Sequence, residues 1–226
     1  MCRACDIVFS FLALLFLLPL FVVVMIVLRC TGEGEVFYRQ LRSGRAGKKF
    51  DILKFATMLK DSPNMGGGAI TRVADPRVLP IGKILRKTKI NELPQLVNVL
   101  VGEMSLIGPR PQALDHYAMY TVEQRRTIER VRPGLSGVGS IFFRDEESLM
   151  SKSDEVNRDI YRDIIMPYKG DLEVWFVQNQ SIWLYLNLII LTCCVVLFPR
   201  WDIRHGALKD LPEMSADLKS TFKRAP

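Results

Sequence analysis

The sequence predicts a mostly helical α/β chain: a proline-broken membrane helix joined to a small helical domain that carries a short β-hairpin. Three observations lead there. Residues 7–28, IVFSFLALLFLLPLFVVVMIVL, contain no charge. The runs VFYRQ and KKFDILKF flank the turn SGRAGK, and short alternating runs around such a turn read as a hairpin. Leu93, Leu96, Val97, Leu100 and Val101 recur at the spacing of one buried helix face.

The first segment is long enough to matter to a membrane. Twenty-two residues rise about 33 Å at ~1.5 Å each, against a hydrocarbon core of about 30 Å. A buried core helix is the alternative, but continuous apolarity on all faces favours a membrane segment. A cleaved signal peptide fits poorly, because RCTGEGEVFY offers no small-residue cleavage site. Pro19, in mid-helix, removes one backbone hydrogen bond and bends the rod. Basic residues flank both ends, Arg3 before it and Arg29, Arg39, Arg42, Arg45, Lys48 and Lys49 after it. A helix that enters, bends at Pro19 and returns keeps both flanks cytoplasmic; a straight span leaves Arg3 outside. The sequence is compatible with both.

The remaining organisation follows in order. KDSPNMGGGAITRVADPR reads as loop, and its glycines lack the strand and helix context of a P-loop. Helices are expected at 91–101, 112–131 and 151–164. The stretch 181–199, SIWLYLNLIILTCCVVLFP, reads as an apolar helix in the membrane interface, with a span as the alternative; Trp183 and Tyr185 suit a headgroup boundary. The expected division is a membrane helix at 1–30, a catalytic domain at 31–200 and a loose tail at 201–226.

Composition narrows the function. Thirty-one basic against 24 acidic residues give a net charge of +7, suited to an anionic membrane face or a phosphorylated substrate and without a nucleic-acid signature. Five cysteines lie in or beside apolar stretches, which argues against a disulfide framework. Cys2 and Cys5 lack a second pair to complete a zinc site. His116 and His205, the two histidines, leave little for triads or histidine metal sites.

The chemistry gathers around KTKINELPQL, residues 87–96. Pro94 belongs in a first helical turn, where its missing N–H costs nothing, so a helix is expected to start near Asn91 with Asn91 as its N-cap. Helix N-termini attract anions. Arg86, Lys87 and Lys89 precede this one, and Arg110 follows between Pro109 and Pro111. Two prolines preset the backbone around a guanidinium fork suited to phosphate. Together these point to a phosphate site beside a membrane.

The blocks RACDIVFS, FYRQLRSGRAGKKFDILKFATM, DPRVLPIGKILRKTKINELPQLVNVLVGEMSLIGPRP and RPGLSGVGS, in this order over most of residues 1–200, resemble the bacterial sugar transferase family, the small monotopic phosphoglycosyl transferases. The resemblance implies an enzyme of the bacterial inner membrane, its active site on the cytoplasmic face and its N-terminal helix re-entrant. Such an enzyme moves a sugar 1-phosphate from a nucleoside diphosphate sugar, usually a UDP-sugar, to polyprenyl phosphate and releases the nucleoside monophosphate, starting glycan assembly. It works with Mg²⁺ among membrane lipids, hands its product to later glycosyltransferases, and has no nucleic-acid partner. By the same resemblance Lys54, Arg86 and Arg110 bind substrate, Glu92 is catalytic and holds the metal, and Asn91 stands at the nucleophile position.

That last position departs from the family's DELPQ motif, in which an aspartate forms a covalent phosphosugar intermediate. An amide lacks the anionic oxygen that attacks phosphorus. Glu92 then serves as nucleophile, or the lipid phosphate attacks directly with Asn91 orienting groups, or the change is an inactivating one. A membrane scaffold or pseudoenzyme of glycan assembly is the non-enzymatic alternative. Ala56 replaces a common arginine and Leu18 a small polar residue before Pro19. Asp145, Glu146 and Glu147 beside Arg144 are further acids within possible reach of the site, and Arg162, Asp163 and Asp171 read as surface or ion-paired residues.

Overall fold

The computed structural model describes residues 3–62, 64–65, 75–144, 159–198, 208 and 210–224. Helix α1, Arg3–Cys30, contains Pro19 and turns one stripe inward, with Asp6, Ser10, Phe21, Val24 and Leu28 buried. These lie three, four or seven residues apart along most of the helix, as one face requires. Phe11, Leu12, Leu15, Phe16, Leu18 and Val23 remain more than half exposed. Even at about 1 kcal/mol for each half-exposed side chain, the whole set of such residues approaches the stability of an ordinary domain, about 5–15 kcal/mol. By length and composition α1 is a candidate membrane helix.

Both ends of α1 rest on the same body. At one end the Arg3 guanidinium donates to the carbonyls of Val99 (2.5 Å) and Leu100 (2.7 Å), the last carbonyls of a helix that would otherwise lack partners. One turn on, Asp6 Oδ1 accepts from Ser105 Oγ at 2.8 Å, the Leu106 N–H at 2.9 Å and the Tyr185 hydroxyl at 2.7 Å. At the other end Phe21, Val24 and Leu28 form a cluster with Phe55 and Leu85.

The expected hairpin is present: β1 (Phe37–Ser43) and β2 (Lys49–Phe55) pair antiparallel, with Tyr38 opposite Lys54. Helix α2 spans Pro80–Lys87, and α3 spans Gln95–Val101. Asn98 ties α3 to β2, its Oδ1 accepting the Leu53 N–H at 3.0 Å and its Nδ2 donating to the Asp51 carbonyl at 2.8 Å. A second sheet joins two three-residue strands in parallel, β3 (Ser105–Ile107) and β4 (Gly134–Ser136). The single helix expected over 112–131 is two, α4 (Leu114–Tyr117) and α5 (Val122–Ile128). Thr121 and Gln124 form a reciprocal capping box that starts the second afresh.

Helix α6 is Val138–Phe142. Residues 151–158 of the helix expected at 151–164 lie outside the described residues. From 159 the chain is helical through a π-type turn at Tyr161–Ile165 into α7, Met166–Gln178. Helix α8 (Ile182–Leu197) buries Tyr185, Leu188, Leu191 and Val195 and exposes Trp183, Ile190 and Leu197. Its 16 residues rise about 24 Å, short of a bilayer core.

The tail is not loose throughout. Helix α9, Ala216–Arg224, buries Leu218 completely, and the Phe222 ring packs on Phe142 and Phe143. Leu218 and Phe222, four apart, lie on one helix face, enough to dock a short amphipathic helix on the largest core cluster.

Candidate functional site

The corner between α2 and α3 is not the expected capped helix start. Lys89 adopts a left-handed conformation (φ 60°), Ile90–Glu92 form one 3-10 turn, and α3 begins only after Pro94, which makes no side-chain cap bond. Asn91 is therefore not an N-cap. It lies inside the 3-10 turn, where its own backbone is helical, and a capping side chain belongs to a residue just outside the helix. Its side chain is buried, and Oδ1 has no hydrogen-bond partner. Ile90 and Leu93 pack into the cluster of Leu28, Phe55 and Leu85, which holds the turn with Glu92 towards the hairpin.

Glu92 meets Arg110 and Lys54 there. The Arg110 guanidinium forks onto the carboxylate, Nη2 to Oε1 at 2.6 Å and Nη1 to Oε2 at 3.2 Å. Lys54 Nζ lies 3.5 Å from Oε1. Burial alone would raise the Glu92 pKa, but Arg110 and Lys54 outweigh it and hold the carboxyl well below its ordinary range. The Lys54 pKa is also lowered, to about 7, by burial first and then, against the pull of Glu92, by the charges of Arg110, Arg42 and Arg86.

Close backbone packing positions Arg110. A Cβ on Gly134 would stand 2.1 Å from the Gly108 nitrogen, and one on Gly137 2.1 Å from the Gly108 oxygen, so only glycines let the two loops approach this far. The Gly134 N–H donates to the Pro109 carbonyl at 2.8 Å. Arg42 Nη1 donates to the Pro111 carbonyl at 3.2 Å, and the Arg110 N–H donates to Glu173 Oε1 at 3.2 Å.

The structure thus joins Lys54, Glu92 and Arg110 directly and brings the charge of Arg86 to bear on Lys54. Asn91 adjoins Glu92 in sequence and is buried, its Oδ1 without a hydrogen-bond partner. Pro19 is exposed on α1. Asp145, Glu146 and Glu147 lie outside the described residues; the Arg144 carbonyl accepts from Lys89 Nζ at 3.2 Å. Arg162 pairs with Asp159 and Asp163 on the surface, and His116 packs its ring on Tyr161.

Two residues of the site escaped the sequence reading. Arg42 was counted only as flanking charge, yet burial, then the charge of Arg110, lowers its pKa to about 10, with Glu92 pulling it back. Its place four residues after Tyr38 on β1, hence on the face of Tyr38 and of its cross-strand partner Lys54, was the available signal. Glu173 is buried in α7, and the signal was an acid flanked on both sides by apolar residues in LEVWF.

Arg110 and Lys54 contact the Glu92 carboxylate, and Arg42 and Arg86 add their charge around Lys54, an excess of positive charge suited to a diphosphate. A family model described as bacterial sugar transferase matches residues 1–199. The chain belongs to the bacterial sugar transferase family. Among its relatives, an undecaprenyl-phosphate glucose phosphotransferase of Komagataeibacter xylinus is 37% identical over 207 residues, 88% of this chain and 36% of that protein. The uncharacterized sugar transferase EpsL of Bacillus subtilis is 36% identical over 171 residues, 76% of this chain and 74% of its own length. A UDP-glucose:undecaprenyl-phosphate glucose-1-phosphate transferase of Klebsiella pneumoniae is 33% identical over 190 residues, 83% of this chain and 38% of that protein. The chain therefore spans little more than a third of the length of the first and third relatives.

The depressed Lys54 pKa has a stability consequence. Between about 7 and the ordinary 10.5 the unfolded chain carries the proton that the folded chain has lost, so this residue's contribution rises with pH across that window. Below it both states are charged and the burial penalty is fully present. Denaturant unfolding in metal-free detergent buffer is expected to show wild type gaining stability relative to Lys54→Met as pH climbs from 7 to 10. A pH-independent difference would contradict the assignment.

Proposed function

We propose that this chain is a phosphoglycosyl transferase, which moves a sugar 1-phosphate from a nucleoside diphosphate sugar, in the first instance a UDP-sugar, to polyprenyl phosphate. The observation that carries the reading is the Glu92 carboxylate held by Arg110 and Lys54 with Arg42 and Arg86 close enough to shift Lys54. Charge of that sign and density stabilises phosphoryl transfer, a reaction that depends mainly on positioning and electrostatics.

The donor chemistry fits Mg²⁺, which takes hard oxygens from one or two carboxylates and completes its shell with water and substrate phosphates. Glu92 would hold it, with the unpartnered Asn91 Oδ1 as a neutral oxygen beside it, and the ion would offset the phosphate charge. Arg110 and Lys54 grip the diphosphate. A non-bridging oxygen of polyprenyl phosphate attacks the sugar-bearing phosphorus. The bond from that phosphorus to the bridging oxygen breaks, and UMP leaves with that oxygen. The fork on Glu92 and its lowered pKa make the carboxylate a poor nucleophile, which favours this direct attack, with Asn91 orienting the reacting phosphates.

The membrane reading is monotopic, with the site on the cytoplasmic face of the inner membrane and α1 re-entrant. It is supported by the contacts at both ends of α1. A straight helix of 28 residues would hold its ends about 40 Å apart, on opposite sides of a bilayer, whereas Arg3 and Leu28 both contact the one domain. The surface that α1 and α8 leave apolar is the lipid-facing side, and later glycosyltransferases would take the product from there.

Incubating the chain with UDP-sugars and Mg²⁺ tests the reaction. UMP is expected only when polyprenyl phosphate is present, without a phosphosugar adduct on the protein. An adduct on Glu92 would replace direct attack with covalent transfer. No UMP from a folded preparation with any sugar nucleotide would sink the enzyme reading. The buried Asn91, an amide with its Oδ1 unpartnered, favours a second reading, a scaffold that retains the pocket without turnover, and activity appearing only in Asn91→Asp would establish it. For the topology, a thiol-reactive probe that cannot cross the membrane is expected to leave a cysteine-bearing tag at the N-terminus unlabelled in intact spheroplasts; labelling there would mean a spanning helix.

A further inference from the structure

We propose that Glu173 is a positioning residue for the transfer site: it fixes the Pro109–Arg110–Pro111 turn, and through it the guanidinium that grips Glu92. This rests on the reading of Arg110 as a donor-phosphate contact. Proline has no N–H, so the Arg110 N–H is the sole backbone donor of the three-residue turn. Glu173 Oε1 takes it at 3.2 Å. The turn's Pro109 and Pro111 carbonyls are held separately, by Gly134 and Arg42. Without Glu173 the middle of the turn loses its anchor.

The carboxylate occupies a built place. Glu173 is 1% exposed, and its Oε2 has no hydrogen-bond partner. In α6, a Cβ on Gly139 would stand 2.5 Å from Glu173 Oε1, so α6 leaves room for this oxygen. Burying a carboxyl with a single hydrogen bond is costly, and apolar packing would fill the same volume more favourably. Burial raises its pKa to about 7, opposed by the Arg110 N–H, Lys169 and the Arg110 charge; those two residues are the charged groups that face it. The arrangement serves the turn rather than the core.

The test uses the full chain in detergent and compares Glu173→Met, similar in length but unable to accept, with Glu173→Gln, which keeps an acceptor. Hydrogen exchange at the Arg110 amide and the KM for a UDP-sugar are the two readouts. Glu173→Met is expected to speed exchange and raise KM about tenfold, the factor that corresponds to losing a typical hydrogen bond, with the melting transition still cooperative. Glu173→Gln is expected to restore both to within about twofold. Should Glu173→Met not fold, Gly139→Ala displaces the carboxylate from the opposite side and is expected to speed exchange in the same way. Wild-type exchange and KM in a folded Glu173→Met overturn the proposal, as does failure of Glu173→Gln to restore them. Exchange needs no substrate, so a chain that turns over no sugar nucleotide counts against the transferase reading alone, and the amide still decides the role of Glu173.

Discussion

The fork of Arg110 on Glu92 is the contact around which the rest is arranged. A carboxylate exposed only 16% at its side chain cannot remain ionised there without paired cations. Arg110 supplies two hydrogen bonds and Lys54 a third contact. The cations, in turn, exceed what one carboxylate neutralises: burial first, and then the neighbouring guanidinium charges, lower the Lys54 pKa to about 7. The nucleoside diphosphate proposed as donor would offset that imbalance.

Two segments carry the fork, and helix α1 holds both. Glu92 precedes α3, and Arg3 caps the far end of α3 through the Val99 and Leu100 carbonyls. Arg110 follows β3, and Asp6 grips β3 through Ser105 and Leu106. One turn of α1 thus registers the two halves of the site against each other. The same helix keeps an apolar outer face exposed. A few polar contacts near the start of α1 set the site geometry, which explains why an aspartate is tolerated, fully buried, at the edge of an apolar helix.

Much of this was legible in the sequence, because its signals are local. A charge-free run, a Gly-containing turn between alternating segments and an i, i+3, i+4 face each report a periodicity within a few residues. The α1 helix and the β1–β2 hairpin followed from them; in α3, Val97 and Val101 of the expected buried face are exposed, and Val99 packs inward with Leu96 instead. The meeting of Lys54, Glu92 and Arg110 was reached through resemblance, since no local pattern links β2 to a turn some fifty residues later. Asn91 misled: Asn before an apolar run is a good cap signal, but the left-handed Lys89 turned the chain one step earlier. The parallel pair β3–β4 is too short for any strand signal, and depends on glycines that pack backbone on backbone. Glu173 was hidden because a buried acid looks like a surface residue until the helices around it are placed.

The central claim is that Glu92 and Arg110 act as one unit in phosphoryl transfer, with or without an aspartate beside them. A double-mutant cycle of Glu92→Gln and Arg110→Gln, read as the rate of sugar-phosphate transfer to polyprenyl phosphate, tests it most directly. Residues that work as a unit give grossly non-additive losses, so the double variant is expected to be scarcely slower than the worse single variant. Losses that multiply, with each variant independent of the other, would contradict the account.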